Sequence, residues 1–300
     1  MADVTIRPAT AGDSRACFDV FRHSLWDLMR RTGYLPLDAP DPDCDEQWPA
    51  YRSLFDHLAQ TCAEWWIAER TDGQTLGYAR SIERASTVEL TEFFVIPGAR
   101  VGGLGRRLLE HAFAVGRGTH RSIIATVDAP AVGLYLRFGV GHQTTGVDMT
   151  CTPQAAAASA DYEVAPATLD ELVEIDAEVL GHARPQDIAF MLGDRPAVVL
   201  HRDGRPVAYA YMANADGYAG PVGARDPRDL PAALSQVEGA AHAAGMSRLD
   251  LTVPLSARTA VDWLIGERGW RIDPFYCLFL TDGPWAKLDR HLPFNPCLML

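Results

Sequence analysis

A glycine-rich segment in the first half of the chain has the residue types of an anion-binding turn. Residues 93–113 read FFVIPGARVGGLGRRLLEHAF, and the run VELTEFFV that leads into them has the composition of a β-strand. From residue 104 onward, the apolar residues have the spacing of an amphipathic helix. The small or basic residues at the junction are Arg100, Gly102, Gly103, Gly105 and Arg106.

Such residues at a strand-to-helix junction favour a negatively charged ligand. The first N–H groups of a helix have no partner within the helix, and the helix dipole attracts negative charge. Glycine lets the backbone approach a pyrophosphate without a Cβ in the way, and Arg100 and Arg106 could pair with it from the sides. By itself, the segment fits equally well a tight turn that only joins the strand to the helix.

The spacing of the segment separates these alternatives. It is neither the dinucleotide fingerprint GxGxxG with a later acidic residue nor the phosphate loop GxxxxGK[ST], because no lysine follows. Its pattern is Val95-x-Pro97-x-x-Arg100-x-x-Gly103-x-Gly105. This pattern strongly resembles the acyl-CoA pyrophosphate loop of the GNAT acyltransferase superfamily, and it leaves Gly102 as only a neighbour of the motif.

A second segment downstream supports the resemblance. Residues 128–140, DAPAVGLYLRFGV, are similar to the family pattern N-x-x-A-x-x-L-Y-x-x-x-G-F, with Asp128 for the usual Asn and Val140 for the usual Phe. Asp128 keeps an acceptor for pantetheine but lacks the amide donor. The matching positions are Ala131, Leu134, Tyr135 and Gly139. The resemblance implies acetyl-CoA or another acyl-CoA as co-substrate, no metal, and CoA contacts at Phe93, Val95, Arg100, Val101, Gly102, Gly103, Leu104, Gly105, Arg106 and Asp128.

The resemblance also implies which groups carry the chemistry. Acyl transfer to an amine needs stabilisation of the thioester oxyanion and a proton for the leaving thiolate. In the family the strand before the loop splays from its neighbour, so the backbone N–H groups of Phe93 and Val95 inherit contacts with pantetheine and the thioester oxygen. Tyr135 inherits the role of general acid; outside its motif, such a tyrosine would be read as a core residue.

The general base is left open between two glutamates on one predicted strand. In a regular strand Glu89 and Glu92 face opposite sides, so only one of them points into the cleft unless a bulge intervenes. Family position favours Glu89, acting directly or through water. Some members of the superfamily acylate amines that arrive neutral, so a dedicated base is not required.

These residues need a folded scaffold, and the chain is long enough for two domains. It has 300 residues, of which 48% are hydrophobic. The small, polar run CTPQAAAASAD at residues 151–161 predicts a linker. We therefore expect a catalytic domain at 1–152, a linker at 153–161 and a second domain at 162–300.

The two halves of the chain echo each other. IRPAT at residues 6–10 returns as VAPAT at 164–168, and the hairpin signal DGQTLGYA at 72–79 returns as DGRPVAYA at 203–210. Two further matches follow in the same order, which predicts a duplicated domain. The expected fold class is therefore α/β, with two tandem GNAT-like domains, each a mostly antiparallel central sheet flanked by helices.

Local patterns predict the elements of the first copy. The predicted strands lie near Val4–Arg7, Trp65–Arg70, Thr75–Glu83, Thr87–Val95 and Ser122–Val127, with closing strands to Met149. The predicted helices lie near Ser14–Arg30, Gln47–Ala59, Gly103–Val115 and Ala129–Phe138.

The second copy lacks the chemistry of the first. A proline, a leucine and an alanine stand where Arg100 and the two motif glycines would be. Asp226 followed by Pro227 predicts an N-cap and a first helical residue, and the carboxylate would repel a phosphate. Ile265 falls at the position of Tyr135. We expect a degenerate repeat kept for structure, for shaping the substrate cleft or for pairing, which leaves a homodimer open.

An additional segment of the first copy is acidic. In the superfamily, the loop between the first two helices commonly roofs the acceptor pocket. The net charge of −12 and the lack of a basic stripe argue against nucleic acid and suit a cationic partner. We hypothesise a small-molecule amine acceptor, selected for positive charge, although a solvated acidic loop fits equally well. The residues assigned to the acceptor are Tyr34, Asp41, Asp43 and Asp45.

Composition limits the remaining classes. The six cysteines are scattered without a CxxC pair, so we expect free thiols and no metal site. The first residues lack a basic segment followed by an apolar one, and no apolar run is long enough to span a bilayer, so we expect a soluble, cytoplasmic protein without a membrane partner. Lys287 is the only lysine, which is typical of arginine-rich, high-GC bacteria.

The resemblance favours an acetyl-CoA-dependent N-acetyltransferase that acts on a small amine by direct attack in a ternary complex. Acylation of a protein N-terminus or side chain is an alternative within the same class. A non-catalytic acyl-CoA-binding sensor or scaffold is the alternative from another class.

Overall fold

The computed structural model describes residues 4–100, 102–157 and 161–294, which fall into two compact units. Unit 1 comprises Met1–Ile123 and Asp128–Gly141, and unit 2 comprises Ile124–Val127 and His142–Leu300. This grouping by packing differs from the domain boundaries expected from the sequence, which stay a prediction. Residues 158–160 of the predicted linker lie outside the described residues.

The elements of unit 1 follow the predicted order, and β4 coincides with the predicted strand. The last residues of β5 belong to unit 2. The elements are β1 (Val4–Pro8), α1 (Ser14–Arg31), α2 (Cys44–Thr61), β2 (Cys62–Arg70), β3 (Thr75–Arg84), β4 (Thr87–Val95), α3 (Leu104–Ala112), β5 (His120–Thr126) and α4 (Ala129–Arg137).

The strands of unit 1 form a mixed sheet in the order β1-β2-β3-β4-β5. Neighbours are antiparallel except β4 and β5, which are parallel. Helix α2 begins at the N-cap Asp43, whose side chain accepts a hydrogen bond from the Glu46 N–H. The apolar stripe of α3 is buried as its spacing predicts.

An aromatic cluster joins α1 and α2 to the sheet. Phe18 of α1 contacts Phe55 of α2 with ring centroids 5.5 Å apart, and Phe21 contacts Phe94 of β4 at 5.0 Å. The strands present alternate side chains to this layer, as the period of two requires. The buried members of the cluster are Cys17, Phe18, Val20, Phe21, Phe55, Trp65, Ile67 and Tyr78.

Unit 2 repeats this order of elements. Its five-stranded antiparallel sheet has the order β13-β10-β9-β8-β7, and β12, β6 and β11 are neighbours in a second group of strands. The predicted closing strands to Met149 are one strand, β6. The elements are β6 (Gly141–Cys151), β7 (Glu163–Pro166), α5 (Leu169–Leu180), α6 (Pro185–Asp194), β8 (Ala197–Arg202), β9 (Arg205–Tyr211), β10 (Val222–Ala224), α7 (Leu230–Ala243), β11 (Leu249–Pro254), α8 (Arg258–Asp262), β12 (Arg271–Thr281) and β13 (His291–Leu292).

Within the described ranges, none of the helices combines the length and the apolar character that crossing a membrane requires.

Candidate active site

Strand β4 has an open edge at its C-terminal end. Its parallel pairing with β5 runs from Thr87 to Leu90, where Leu90 lies opposite Ile123. The strand itself continues to Val95, paired there only with β3. The two neighbouring strands therefore separate after Leu90, which is the splay that the family resemblance implies.

Two backbone N–H groups of β4 point towards this open edge. The N–H of Ile96 donates to the carbonyl of Leu76 at 2.9 Å, so the groups of Ile96 and of every second residue before it face β3. The groups of the residues between them, Phe93 and Val95, face the other way. Both residues are thus oriented as their assigned contacts with pantetheine and a thioester oxygen require.

A left-handed glycine turn follows and starts α3. Gly102 and Gly103 have φ of 68° and 73°, a region that residues with a Cβ rarely adopt. Gly102, a neighbour of the motif by its spacing, thus has a backbone conformation that favours glycine. Val101 lies outside the described residues.

The N–H groups at the start of α3 are directed out of the helix end. The N–H of Arg107 donates to the carbonyl of Gly103, the N-cap, at 3.1 Å. The N–H groups that precede it in the helix have no carbonyl one turn back within α3. The Leu104 side chain is buried, so Leu104 can offer an anion only its backbone.

Gly105 allows α3 to approach β4 closely. A Cβ at this position would lie 2.9 Å from Cζ of Phe93, closer than such atoms approach. The glycine therefore fixes the distance between the phosphate turn and the strand residue whose N–H faces the open edge. This explains the second motif glycine by packing as well as by access to a ligand.

Arg100 is held by two contacts beside the turn. Its Nε donates to the carbonyl of Val95 at 3.1 Å, and its NH1 lies 2.9 Å from Oδ2 of Asp27 on α1. Arg106 is more exposed and pairs with Glu110 one helical turn away at 2.9 Å. The two loop arginines thus differ: Arg100 is anchored, whereas Arg106 is on the surface of α3.

The contact with Asp27 adds a residue that motif reasoning missed. Arg31, one turn after Asp27 on α1, lies 2.9 Å from Asp27 and 3.5 Å from Asp128 at the N-cap of α4. Burial alone would raise the pKa of Asp27, but hydrogen bonds and charge from Arg31 and Arg100 outweigh it and hold the pKa below its usual range. Only the i,i+4 spacing of Asp27 and Arg31 was visible in the sequence.

Tyr135 lies next to the same strand. Its buried ring packs edge-to-face against Phe93, with centroids 5.9 Å apart. Burial, reinforced by the negative charge of Asp128, raises the pKa of the Tyr135 hydroxyl. The hydroxyl therefore stays protonated at neutral pH, as a proton donor must.

A bulge in β4 places both glutamates on one face of the sheet. Glu89 is opposite Ile82 and Glu92 is opposite Arg80, whereas Thr91 has no opposite residue in β3. Ile82 and Arg80 are two residues apart and so point to the same side. The regular alternation that would put Glu89 and Glu92 on opposite faces is broken by the one extra residue.

The two glutamates have different surroundings on that face. Glu92 forms a fully buried ion pair with Arg80 and accepts a hydrogen bond from the Tyr78 hydroxyl at 2.8 Å. The Arg80 guanidinium also stacks 4.6 Å from the Trp65 ring. Glu92 is thereby committed to neutralising Arg80. Glu89 is also buried, with 4% of its surface exposed, and it lies opposite Ile82.

The acidic residues assigned to the acceptor are engaged with the protein. Asp41 lies 2.9 Å from Arg30, and Asp45 lies 2.7 Å from Arg15. Asp43 caps α2, as described above. Tyr34 is exposed in the turn after α1.

Unit 2 has a different structure at the equivalent place. Asp226 caps the short helix that begins at Pro227, accepting from the Arg228 N–H at 2.9 Å, so the predicted N-cap is confirmed. Strand β10, the counterpart of β4, pairs on one side with β9 and on the other with β13, where Val222 lies opposite Leu292. Ile265, at the position equivalent to Tyr135, is exposed.

No cluster of three or more histidine, cysteine, aspartate or glutamate side chains suited to a metal ion occurs in the part of the chain that the structure describes.

The fold defined by these elements is that of GNAT acetyltransferases, including a tandem one. A proposed acetyltransferase from Pyrococcus horikoshii has a TM-score of 0.68 at 16% identity, over 98% of this chain and 95% of its own. A GCN5-related N-acetyltransferase from Sphaerobacter thermophilus has a TM-score of 0.63 at 19% identity, over 93% of this chain and 95% of its own. A tandem GNAT protein from the clavulanic acid biosynthesis pathway has a TM-score of 0.58 at 16% identity, over 94% of this chain and 99% of its own. The predicted α/β, tandem GNAT fold is confirmed.

A model of the acetyltransferase (GNAT) family matches residues 23–140. This match confirms the resemblance found in the two motifs and supports acyl transfer from acyl-CoA as the general chemistry. Among curated proteins, none matches the sequence.

Proposed function

We propose that the protein transfers an acetyl group from acetyl-CoA to the amine of a small molecule at the open edge of β4. The observation that carries this proposal is the convergence of three features on one strand end. The N–H groups of Phe93 and Val95 face the open edge, the glycine turn with Arg100 follows, and Tyr135 packs against Phe93. The proposed hydrogen-bond donors, the proposed pyrophosphate site and the proposed proton donor are thus adjacent.

The residues fit the parts of acetyl-CoA. The turn at Gly102 and Gly103, the start of α3 and the Arg100 side chain suit a pyrophosphate. Acetyl-CoA supplies the acetyl group as a thioester. The outward N–H groups of β4 are donors for pantetheine and for the thioester oxygen, whose negative charge grows during attack.

Proton movements are assigned to Glu89 and Tyr135. Glu89 takes a proton from the attacking amine, directly or through water, as the new C–N bond forms. Tyr135 gives its proton to the sulfur as the C–S bond breaks, and regains one from solvent. Glu92 is assigned no proton transfer, because its carboxylate neutralises Arg80.

The acceptor and the assembly remain proposals. Selection of a cationic amine by the acidic loop must use Asp41 and Asp45 while each is paired with an arginine. We also propose that the protein is cytoplasmic and forms a homodimer. Unit 2 is proposed to shape or support the site rather than to bind CoA itself. Within unit 2, β13 pairs with the edge of β10 that corresponds to the open edge of β4.

The test is thiol release from acetyl-CoA with a panel of small amines. Turnover with at least one amine supports the proposal. Tight CoA binding without turnover on any small amine supports the sensor instead, and turnover restricted to peptides supports the protein acetyltransferase.

CoA stoichiometry is a second test of the same proposal. The closed edge of β10 and the cap at Asp226 predict one CoA per chain by calorimetry. Two CoA molecules per chain would contradict the assignment of the site to unit 1.

A further inference from the structure

Arg22 on α1 is a buried cation surrounded by aromatic rings. It is 8% exposed. Its guanidinium carbon lies 5.6 Å from the ring centre of Phe21, 5.5 Å from that of Trp26 and 5.6 Å from that of Tyr51 on α2. The side chain is thus enclosed between the two helices that flank the sheet.

Arg22 has no anionic partner in the described parts of the chain. None of the hydrogen bonds or ion pairs found there includes its side chain, and its buried Nε has no acceptor. The two most deeply buried arginines are neutralised: Arg80 pairs with Glu92, and Arg184 pairs with Asp176 at 2.8 Å. Moving a charge out of water costs more free energy than contacts with aromatic rings recover. Arg80 and Arg184 offset this cost with a counter-charge, and Arg22 does not.

The position of Arg22 relates it to the acceptor side of β4. The ring of Phe21, over which Arg22 lies, is 5.0 Å from the ring of Phe94. Phe94 is opposite Tyr78, two residues from Arg80, so it shares the face of β4 that carries Glu89. Arg22 is therefore one aromatic ring away from the strand, on the face that holds the proposed base.

We propose that Arg22 binds a carboxylate of the acceptor, so that the substrate is an amino acid or a related amine that carries an acid group. This inference rests on the proposed function and names its substrate class. A guanidinium offers a planar pair of donors that matches a carboxylate, and a ligand carboxylate would supply the missing counter-charge. The loop carboxylates are already engaged, so they do not compete for Arg22.

The substrate would thus be recognised at both ends. Glu89 serves the amine that becomes acetylated, and Arg22 serves the acid group. Only 8% of Arg22 is exposed to water, which strengthens a charge-assisted hydrogen bond. A neutral amide in place of the acid would leave the cation without its partner and should bind more weakly.

The experiment compares free amino acids with their amides. Calorimetry measures binding of leucine, phenylalanine and lysine, each beside its amide, to the full chain saturated with CoA. In the wild type at least one acid should bind roughly 10- to 100-fold more tightly than its amide. In Arg22→Gln this ratio should fall to about one, with the affinity for the amides and for CoA unchanged; Arg22→Lys should keep part of the preference.

Thermal unfolding separates binding from a structural role. Because Arg22 has no counter-charge among the residues that the structure describes, Arg22→Gln should leave Tm unchanged or raise it. A wild type that binds no acid more tightly than its amide would overturn the proposal. So would an Arg22→Gln variant that retains the preference, or one that unfolds earlier and loses acid and amide alike.

Failure of this inference is distinguishable from failure of the proposed function. Turnover on amines without a preference for acids leaves the acetyltransferase standing and removes the role of Arg22. A preference for acids that Arg22→Gln abolishes, with no thiol release on any acceptor, keeps Arg22 as an acid-binding residue and removes the acetyltransferase.

Discussion

Asp27 and Arg100 join helix α1 to the turn that follows β4, with Oδ2 and NH1 2.9 Å apart. Arg100 also donates from Nε to the carbonyl of Val95, so two of its donors are used within the protein. The remaining donors are oriented by these contacts before any ligand arrives. Asp27 thus helps to position Arg100 beside the proposed pyrophosphate site.

Replacing Arg100 should weaken CoA binding. Arg100→Ala removes a charge-assisted contact worth about 1.5–3 kcal/mol, which is roughly a 10- to 100-fold loss of affinity. Calorimetry with CoA measures it. Arg52→Ala is the matched control, because Arg52 is an exposed arginine of unit 1 that also pairs with an aspartate, Asp56. Equal affinities for both variants would remove Arg100 from the site.

A methyl group at Gly105 should disturb the strand through Phe93. Gly105→Ala places its Cβ 2.9 Å from the Phe93 ring, so either the ring must move or α3 must shift away from β4. We expect turnover to fall by about 10-fold or more, since small misplacements of reacting groups are costly. The rate of thiol release measures this.

Gly133 provides the control for that substitution. A Cβ there meets nothing within 4 Å, and the residue is in the interior of α4. Gly133→Ala should therefore stabilise the protein by about 0.5–1 kcal/mol and leave turnover unchanged. If both alanine variants behave alike, the close approach at Gly105 has no functional role.

Removing the Tyr135 hydroxyl should separate chemistry from binding. Tyr135→Phe keeps the ring that packs on Phe93, so the affinity for CoA should persist while turnover falls by about 100-fold or more. Because burial raises the pKa of Tyr135 above its usual value of about 10, its ionisation should cause no loss of activity up to about pH 10. Tyr276→Phe, at an exposed tyrosine of β12, is the control. Full turnover in Tyr135→Phe would exclude it as the acid.

The two glutamates of β4 should give opposite phenotypes. Glu92→Gln leaves Arg80 buried without a counter-charge and should destabilise the protein by about 3–5 kcal/mol in chemical denaturation. Glu89→Gln should lose about 100-fold in turnover, with partial recovery at high pH, where more of the amine is neutral. A stable Glu92→Gln variant that loses turnover, beside an active Glu89→Gln variant, would reverse the assignment.

Stability should depend on pH through Asp148 of unit 2. Burial, partly offset by a hydrogen bond that the Thr252 hydroxyl donates at 2.6 Å, combines with the charges of Asp273 and Asp250 to raise the pKa of Asp148 to about 6. Its value in the unfolded chain is about 3.9. The folded state therefore binds the extra proton between about pH 4 and 6, and this contribution to stability is lost as pH rises through 6.

Asp148→Asn tests this sign. The amide stays neutral, so the variant should be more stable than the wild type by roughly 2–3 kcal/mol at pH 8, with the difference shrinking to about zero below pH 4. Urea denaturation at several pH values measures both. A difference that does not change with pH would contradict the linkage.

The local parts of the fold were predictable because local physics sets them. Strand β4 follows from its β-forming residues, and α3 follows from its apolar stripe, which is buried. The glycine turn could be placed from spacing, because positive φ restricts the choice of residue. The cap at Asp226 was predicted for the same kind of reason, since a proline follows it.

The parts that the sequence left open or did not indicate depend on contacts between distant segments. The bulge at Thr91 is set by the register of β3, which composition does not encode. The contact of Asp27 with Arg100 and the isolation of Arg22 both result from how α1 packs on its neighbours. The acidic residues of the loop suggested a cation site, but their arginine partners at Arg15 and Arg30 became apparent only in three dimensions.

The pairing of β13 with β10 has a consequence for the order of folding. Of the described strands, β13 comes last in the sequence, so a growing chain makes its partner β10 well before this strand. Until then one edge of β10 is unprotected, and unpaired edges are sites of aggregation. The synthesis of β13 therefore both completes the pairing of β10 and protects this edge from association with other nascent chains.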